Sequence, residues 1–528
     1  MSNKRTGERT GKRTGLTRRD ALKAAGATTL AWGSALGPMP AFAQQNTNLR
    51  AAIAGFNVIN TLDPMKASLI PEFYVIYGAF NALLKYNAKM EIVPDLAESF
   101  TVVDPTTLEF KLRKGVKFQD GSDFTADDVK FTIERVADEK NAAPNRSKVA
   151  TIQEIKITDP FTVRIITKAP FAPLINYLTN TRTATQIVSR TAIKAMGDEA
   201  FGRRPVGTGP FKVKDWKSGE SVELEAFPGA FSGAPKVQRV ICPIIAEESS
   251  GMTAILGNQV DLTSTAPFAD VPALEKKGEV KVLKQAGLNT RYIALNNKKG
   301  PFADLAFRRA VSMAFDREVL VKAVLFGEGV ALGGVLPPGL TGDAKPSGEY
   351  VKFNPERACA ELAKSQYKAG TEATILVWGS NWWHRMGEIV AGQANQVLGT
   401  KIKLQAMDFN AAYSRAKAGD YEAMVMGWLG FVDPDEFIGE LLGSKGFRNI
   451  HGYDSPKMDA VLERGRTEID PVKRRAVYQE AEQIVADELP ILPCFCSNVH
   501  NLLRPNLKGF VQLPYSNFAD QFGQVELG

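Results

Sequence analysis

Apolar positions recur at two alternating periods along the first half of the chain. Asn48 to Phe56 alternates as a half-buried strand does, and Asn57 to Ser68, which carries Leu62-Asp63-Pro64, breaks the alternation into a loop. Phe73, Ile76, Tyr77, Phe80 and Leu84 then share one helical face. Period two returns at Ser99 to Val103 and Leu108 to Arg113, a hairpin turned at Asp104-Pro105. Phe124 to Ala137 reads as a helix. Thr125 and Asp128 stand at capping-box spacing, Phe124 and Val129 at staple spacing, and Val129, Ile133 and Val136 form the buried stripe. Further hairpins are expected at Asp159-Pro160 and at Lys217 to Glu220, where Phe211 to Trp216 meets Val222 to Phe227.

Beyond about residue 290 hairpins give way to alternating helices and strands. Leu305 to Phe326 has helical periodicity, and Asn354-Pro355 offers a cap followed by proline at the first helical position. Thr374 to Trp378 as strand, Trp383 to Leu398 as helix and Lys401 to Asp408 as strand make a βαβ unit, extended by a strand from Tyr421 to Trp428. Ligands in such sheets gather at the carboxyl ends of strands. The last long helix is capped by Asp470-Pro471 and ends at Leu489-Pro490, and Ile491 to Gly528 reverts to strand and loop. A chain of 528 residues is too long for one core, so two large lobes are expected. If the last segment returns to the first lobe, two strands cross between them.

Composition is that of a soluble globular protein, 44% hydrophobic and 23% charged, with no run of about 18 apolar residues. The net charge of +7 would suggest nucleic acid, but its distribution removes that reading. Residues 1–43 hold Lys4, Arg5, Arg9, Lys12, Arg13, Arg18, Arg19 and Lys23 against Glu8 and Asp20, nearly the whole excess. Three tetrapeptides ending in Arg-Thr-Gly, over residues 4–15, open this stretch. Thr17-Arg18-Arg19-Asp20-Ala21-Leu22-Lys23, a weakly apolar run and Ala41-Phe42-Ala43 follow, in the order basic region, apolar region, small-x-small cleavage site. The segment resembles a twin-arginine export signal, with Ala21 where an aromatic is usual. The resemblance implies passage through the twin-arginine translocon and removal of residues 1–43. No cysteine follows the apolar run, so a lipid anchor is not expected.

Catalytic signatures are sparse. The histidines are His384, His451 and His500, with no His-Glu-x-x-His helix, no Gly-x-Ser-x-Gly elbow and no Walker sequence. Cys242, Cys359, Cys494 and Cys496 lack zinc-site spacing, and a bridge between Cys494 and Cys496 would be strained, so free thiols, no cofactor and no metal are expected. Carboxylates are plentiful, which keeps an exported carboxylate-dependent hydrolase as the alternative reading.

Phe110-Lys111-Leu112-Arg113-Lys114-Gly115-Val116-Lys117-Phe118-Gln119-Asp120-Gly121, followed by Phe124-Thr125-Ala126-Asp127-Asp128-Val129, resembles the signature of family 5 extracellular solute-binding proteins, which serve ABC importers of peptides, opines and nickel. Leu62-Asp63-Pro64, Pro94-Asp95-Leu96-Ala97-Glu98-Ser99, Gly207-Thr208-Gly209-Pro210-Phe211, Leu295-Asn296-Asn297, Pro301-Phe302-Ala303-Asp304, Arg308-Arg309-Ala310, Phe353-Asn354-Pro355-Glu356-Arg357-Ala358 and Leu489-Pro490-Ile491-Leu492-Pro493 continue the match over the whole mature chain. The resemblance implies an α/β, two-lobed periplasmic-binding-protein fold. Residues 44–287 and 490–528 would form lobe I, with an inserted subdomain over about 70–185, and 288–489 lobe II. Hinge strands would fall near Leu288 to Asn296 and Leu489 to Asn498. It further implies a periplasmic, monomeric, non-enzymatic subunit that encloses a peptide-like or related small solute between its lobes and presents it to ABC permease subunits.

The same resemblance nominates site residues. Trp382, Trp383 and His384 lie in the loop before the βαβ helix that faces ligand in peptide-binding relatives. Trp428, Leu429, Gly430 and Phe431 lie in the loop where di- and oligopeptide binders place an Asp for the ligand's amino terminus, and Gly430 occupies that place. Phe409 and Phe495 fall near pocket aromatics of relatives. Such a cleft suits planar, sugar-like or modified-peptide ligands, because rings supply area with few rotatable bonds. Asp433, Pro434 and Asp435 are expected to be structural, as turn and cap residues.

Overall fold

The computed structural model describes residues 47–341, 348–379, 382–429, 432–515 and 518–528. The expected signal segment, and Gly430 and Phe431, lie outside the described residues, as does the side chain of Leu429.

One eleven-stranded sheet runs through the molecule. Its order is Lys401–Ala406, Glu372–Val377, Ala423–Leu429, Lys281–Leu295, Ile491–Leu503, Leu262–Thr263, Asn48–Ala54, Arg239–Ile245, Ser221–Ala226 and Phe211–Lys217, with Gly329–Ala331 added to Ile491–Leu503. Two antiparallel strands, Lys281–Leu295 and Ile491–Leu503, form its spine. The carboxyl half of the first pairs with Ala423–Leu429, and the carboxyl end of the second pairs with Leu262–Thr263. Their ladder is interrupted between Ala286 and Thr290, where two extra residues of the first strand face Ser497. Gly287 is required there, since a Cβ would stand 2.9 Å from the Ser497 carbonyl oxygen.

A separate four-stranded antiparallel sheet, in the order Ala97–Asp104, Thr107–Leu112, Thr162–Thr167, Ile152–Asp159, has a core of its own around Phe110, Phe118, Val129 and Ile133. The helix Ala126–Ala137 packs on it and starts with the expected capping box, Thr125 N–H donating to Asp128 Oδ2 at 3.0 Å.

Two sequence expectations need correction. The helix Ile70–Ala79 ends before Leu84, which lies in the strand Leu84–Tyr86; nine of its ten residues are buried, so it has no single stripe. Leu305 to Phe326 is two helices, Leu305–Ala314 and Arg317–Leu325. Asp316 makes the break: its side chain accepts from Glu318 N–H at 2.8 Å and caps the second helix.

Candidate functional site

The carboxyl ends of the strands Glu372–Val377 and Lys401–Ala406 lead into a chain of contacting rings. Trp382 and Trp383 open the helix Trp382–Leu398 and lie 4.1 Å apart between centroids, nearly parallel. Trp383 continues to Trp378 at 4.1 Å, Trp378 to Phe409 at 4.9 Å and Phe409 to Tyr413 at 5.7 Å. At the other end Trp382 reaches Phe495 of the spine at 6.3 Å. Four of the nominated residues, Trp382, Trp383, Phe409 and Phe495, therefore belong to one cluster.

Their roles within it differ. Trp382 lines a cavity of about 210 Å³ bounded by both parts of the sheet. Trp383 and Trp378 support it from behind, with Trp378 Nε1 donating to the Val425 carbonyl at 2.8 Å. Phe409 is 37% exposed at the cluster's outer end. Phe495 is fully buried, in a core with Ile293, Phe307, Val377 and Val390. His384 is not among the cavity-lining residues; its Nδ1 lies 3.2 Å from Glu388 one turn along the same helix. Trp428 is buried in a neighbouring core, with the Arg448 guanidinium 4.2 Å over its ring.

The amino-terminal part of the chain brings Phe56, Tyr74, Glu248 and Thr265 to this cavity, and the spine brings Asn289, Arg291 and Asn498. Arg291 went unnoticed in the sequence because it sits mid-strand, outside every motif; an arginine in a strand that continues Tyr292-Ile293-Ala294-Leu295 was the available signal. His500 also faces the cavity. Burial holds its pKa below the usual range despite the Glu328 carboxylate 3.1 Å from Nε2, so at neutral pH the imidazole is uncharged.

A larger cavity, about 650 Å³, lies between the inserted sheet's flank and the helices Pro434–Leu442 and Pro456–Thr467. At its base Arg466 Nε donates to Asp435 at 3.0 Å, and Lys148 bonds the buried Glu436. The smaller cavity is the stronger candidate, because aromatic rings and a few polar groups from distant segments converge on it.

Comparison with known proteins agrees with this architecture. The model of bacterial extracellular solute-binding proteins, family 5 (middle), matches residues 91–449. The chain is 28% identical over 473 residues to the glutathione-binding protein GsiB of Shigella flexneri serotype 5b, covering 87% of this chain and 91% of that one. Among solved structures it resembles HbpA2 from Haemophilus parasuis, with TM-score 0.82, 26% identity, and 91% and 100% of the two chains covered. It also resembles the murein tripeptide binding protein MppA of Escherichia coli, with TM-score 0.74, 25% identity, and 91% and 98% covered.

Proposed function

This chain belongs to the family 5 bacterial extracellular solute-binding proteins, and we propose that it captures a peptide-like solute in the cavity between Trp382 and the first-lobe residues Tyr74 and Glu248. It is a periplasmic solute-binding subunit of an ABC importer. The observation that carries the ligand site is the stacked Trp382–Trp383 pair at the carboxyl ends of the second-lobe strands, beside a cavity that both parts of the sheet line.

The peptide-like reading takes support from relatives named for glutathione and for a murein tripeptide. A cavity of about 210 Å³ suits a compact ligand, since drug-sized sites run from about 300 Å³ upward. Residues 44–287 with 490–528, and 288–489, are the two lobes in this reading, and ligand contacts to both shift the population toward the closed form that the permease recognises. The protein acts as a monomer and releases its solute unchanged, consistent with relatives named as binding proteins. Residues 1–43 direct it to the twin-arginine translocon.

Thermal shift and titration calorimetry with short peptides, glutathione, opines and disaccharides test the reading. One-to-one binding of at least one peptide-like compound, with stabilisation rising as RT ln(1 + [L]/Kd), is expected. Binding confined to disaccharides overturns it.

A further inference from the structure

The aromatic wall of the cavity holds a charge that the protein does not balance. Arg291 is 7% exposed, and its guanidinium carbon lies 5.0 Å from the Trp382 ring centroid and 4.9 Å from that of Trp383. Nη1 donates to the Thr290 carbonyl at 3.0 Å, Nε has no partner, and among the described residues no carboxylate pairs with it. Three other buried arginines are treated differently. Arg474 is gripped by Asp433, Arg135 by Asp63, and Arg317 spreads its donors over Pro493, Ser312 and Val351.

A buried guanidinium without a counter-ion destabilises the fold that carries it. Burial draws the Arg291 pKa down to about 10, which leaves it protonated at neutral pH. The sequence nonetheless makes room for it. Its register partner on the adjacent strand is Gly427, where a Cβ would stand 2.7 Å from Arg291 Cδ and 2.6 Å from the Trp383 ring. The same cavity has one acidic lining residue among those described, Glu248, contributed by the first-lobe helix Glu248–Leu256.

Resting on the peptide-like reading above, we propose that Arg291 is the carboxylate anchor of the cleft: the ligand's carboxylate supplies the missing counter-ion, with Trp382 and Trp383 backing the guanidinium plane. The planar fork matches a carboxylate with two parallel hydrogen bonds. Glu248 then favours a ligand whose other end is an ammonium or another donor, so the ligand class is a small zwitterionic, peptide-like acid. This arrangement places the ligand's charge selection on a spine strand instead of at Gly430.

Calorimetry of the wild-type protein with a set of free-acid di- and tripeptides, glutathione included, and the same compounds with their carboxylates amidated is the test. Amidation is expected to weaken binding about 30-fold or more. Arg291→Met is expected to bind the acid as weakly as the wild type binds the amide, to lose nothing further on amidation, and to melt, ligand-free, at or above the wild-type temperature. A purely structural arginine would instead lower that temperature. Equal wild-type affinity for acid and amide, or an R291M protein that binds the acid normally, overturns this inference and leaves the peptide-like reading standing. Binding of no peptide in either form overturns both. Should R291M not fold, the acid-to-amide contrast in the wild type decides alone.

Discussion

At Asp433 one buried carboxylate makes three connections. It caps the helix Pro434–Leu442 by accepting from Asp435 N–H at 2.8 Å, takes both Nη groups of Arg474 at 2.8 Å, and accepts from Asn176 Nδ2 at 2.6 Å. Asp433→Ala leaves Arg474 uncompensated in the interior, and urea unfolding should register a loss of about 3–5 kcal/mol. Its neighbour Glu436 gives a pH-dependent test. Burial, opposed by Lys148, pushes the Glu436 pKa up to about 8. The unfolded chain therefore ionises first, from about pH 4.3, while the folded one keeps its proton, and stability is lost as pH rises through that window. The stability difference between wild type and Glu436→Gln should accordingly fall by about 1.4 kcal/mol per pH unit up to about pH 8; parallel pH profiles would contradict it. The structural duty of Asp433 was legible because an Asx-Pro pair at a helix start has a local meaning. Arg291 was not, since its isolation depends on which side chains three distant segments bring to it.

Element by element, the family blocks are joints. Gln119 Nε2 donates to the carbonyls of Ala79, Gly209 and Phe211, while Gly207 N–H donates to its Oε1 at 3.2 Å. Asp63 pairs with Arg135, Asp304 caps the helix Leu305–Ala314, and Asn297 Nδ2 donates to Leu295, His451 and Pro490 carbonyls. Gln119→Leu orphans several buried carbonyls and should cost at least about 2 kcal/mol in denaturant unfolding, with the ligand site intact in the surviving folded fraction. This explains why the motifs identified the family without identifying a cargo: they record how elements meet, and the cavity is lined largely by other residues. Caps and hairpins were legible because Asp-Pro, Thr-x-x-Asp and Asn-Pro act within a few residues. The single helix expected over Leu305 to Phe326 failed because apolar periodicity carries across a break that only the Asp316 side chain marks. If residues 1–43 direct export as proposed, Arg18→Lys with Arg19→Lys should leave precursor in the cytoplasm and deplete the periplasmic form, as immunoblots of fractionated cells would record.

For the molecule as a whole, the two-strand spine is interrupted near Gly287 while lateral pairing continues on either side of it. The proposed site is assembled where three helices, carrying Tyr74, Glu248 and Trp382, meet the spine strand that carries Arg291. Two lobes and two crossing strands could be anticipated from length and from the change of texture near residue 290. The continuity of one sheet through both could not, because parallel and antiparallel partners far apart in sequence leave no local signal. A ligand held at both ends converts binding energy into closure, and a solute-binding subunit needs nothing further from it. Native mass spectrometry of the protein purified from its host's periplasm, followed by identification of the released molecule, tests that most directly. The account predicts a one-to-one complex with a small, carboxylate-bearing, peptide-like solute whose mass is unchanged after prolonged incubation with the protein. Conversion of that solute to cleavage products, or a resident ligand with neither a carboxylate nor an amide bond, would contradict it.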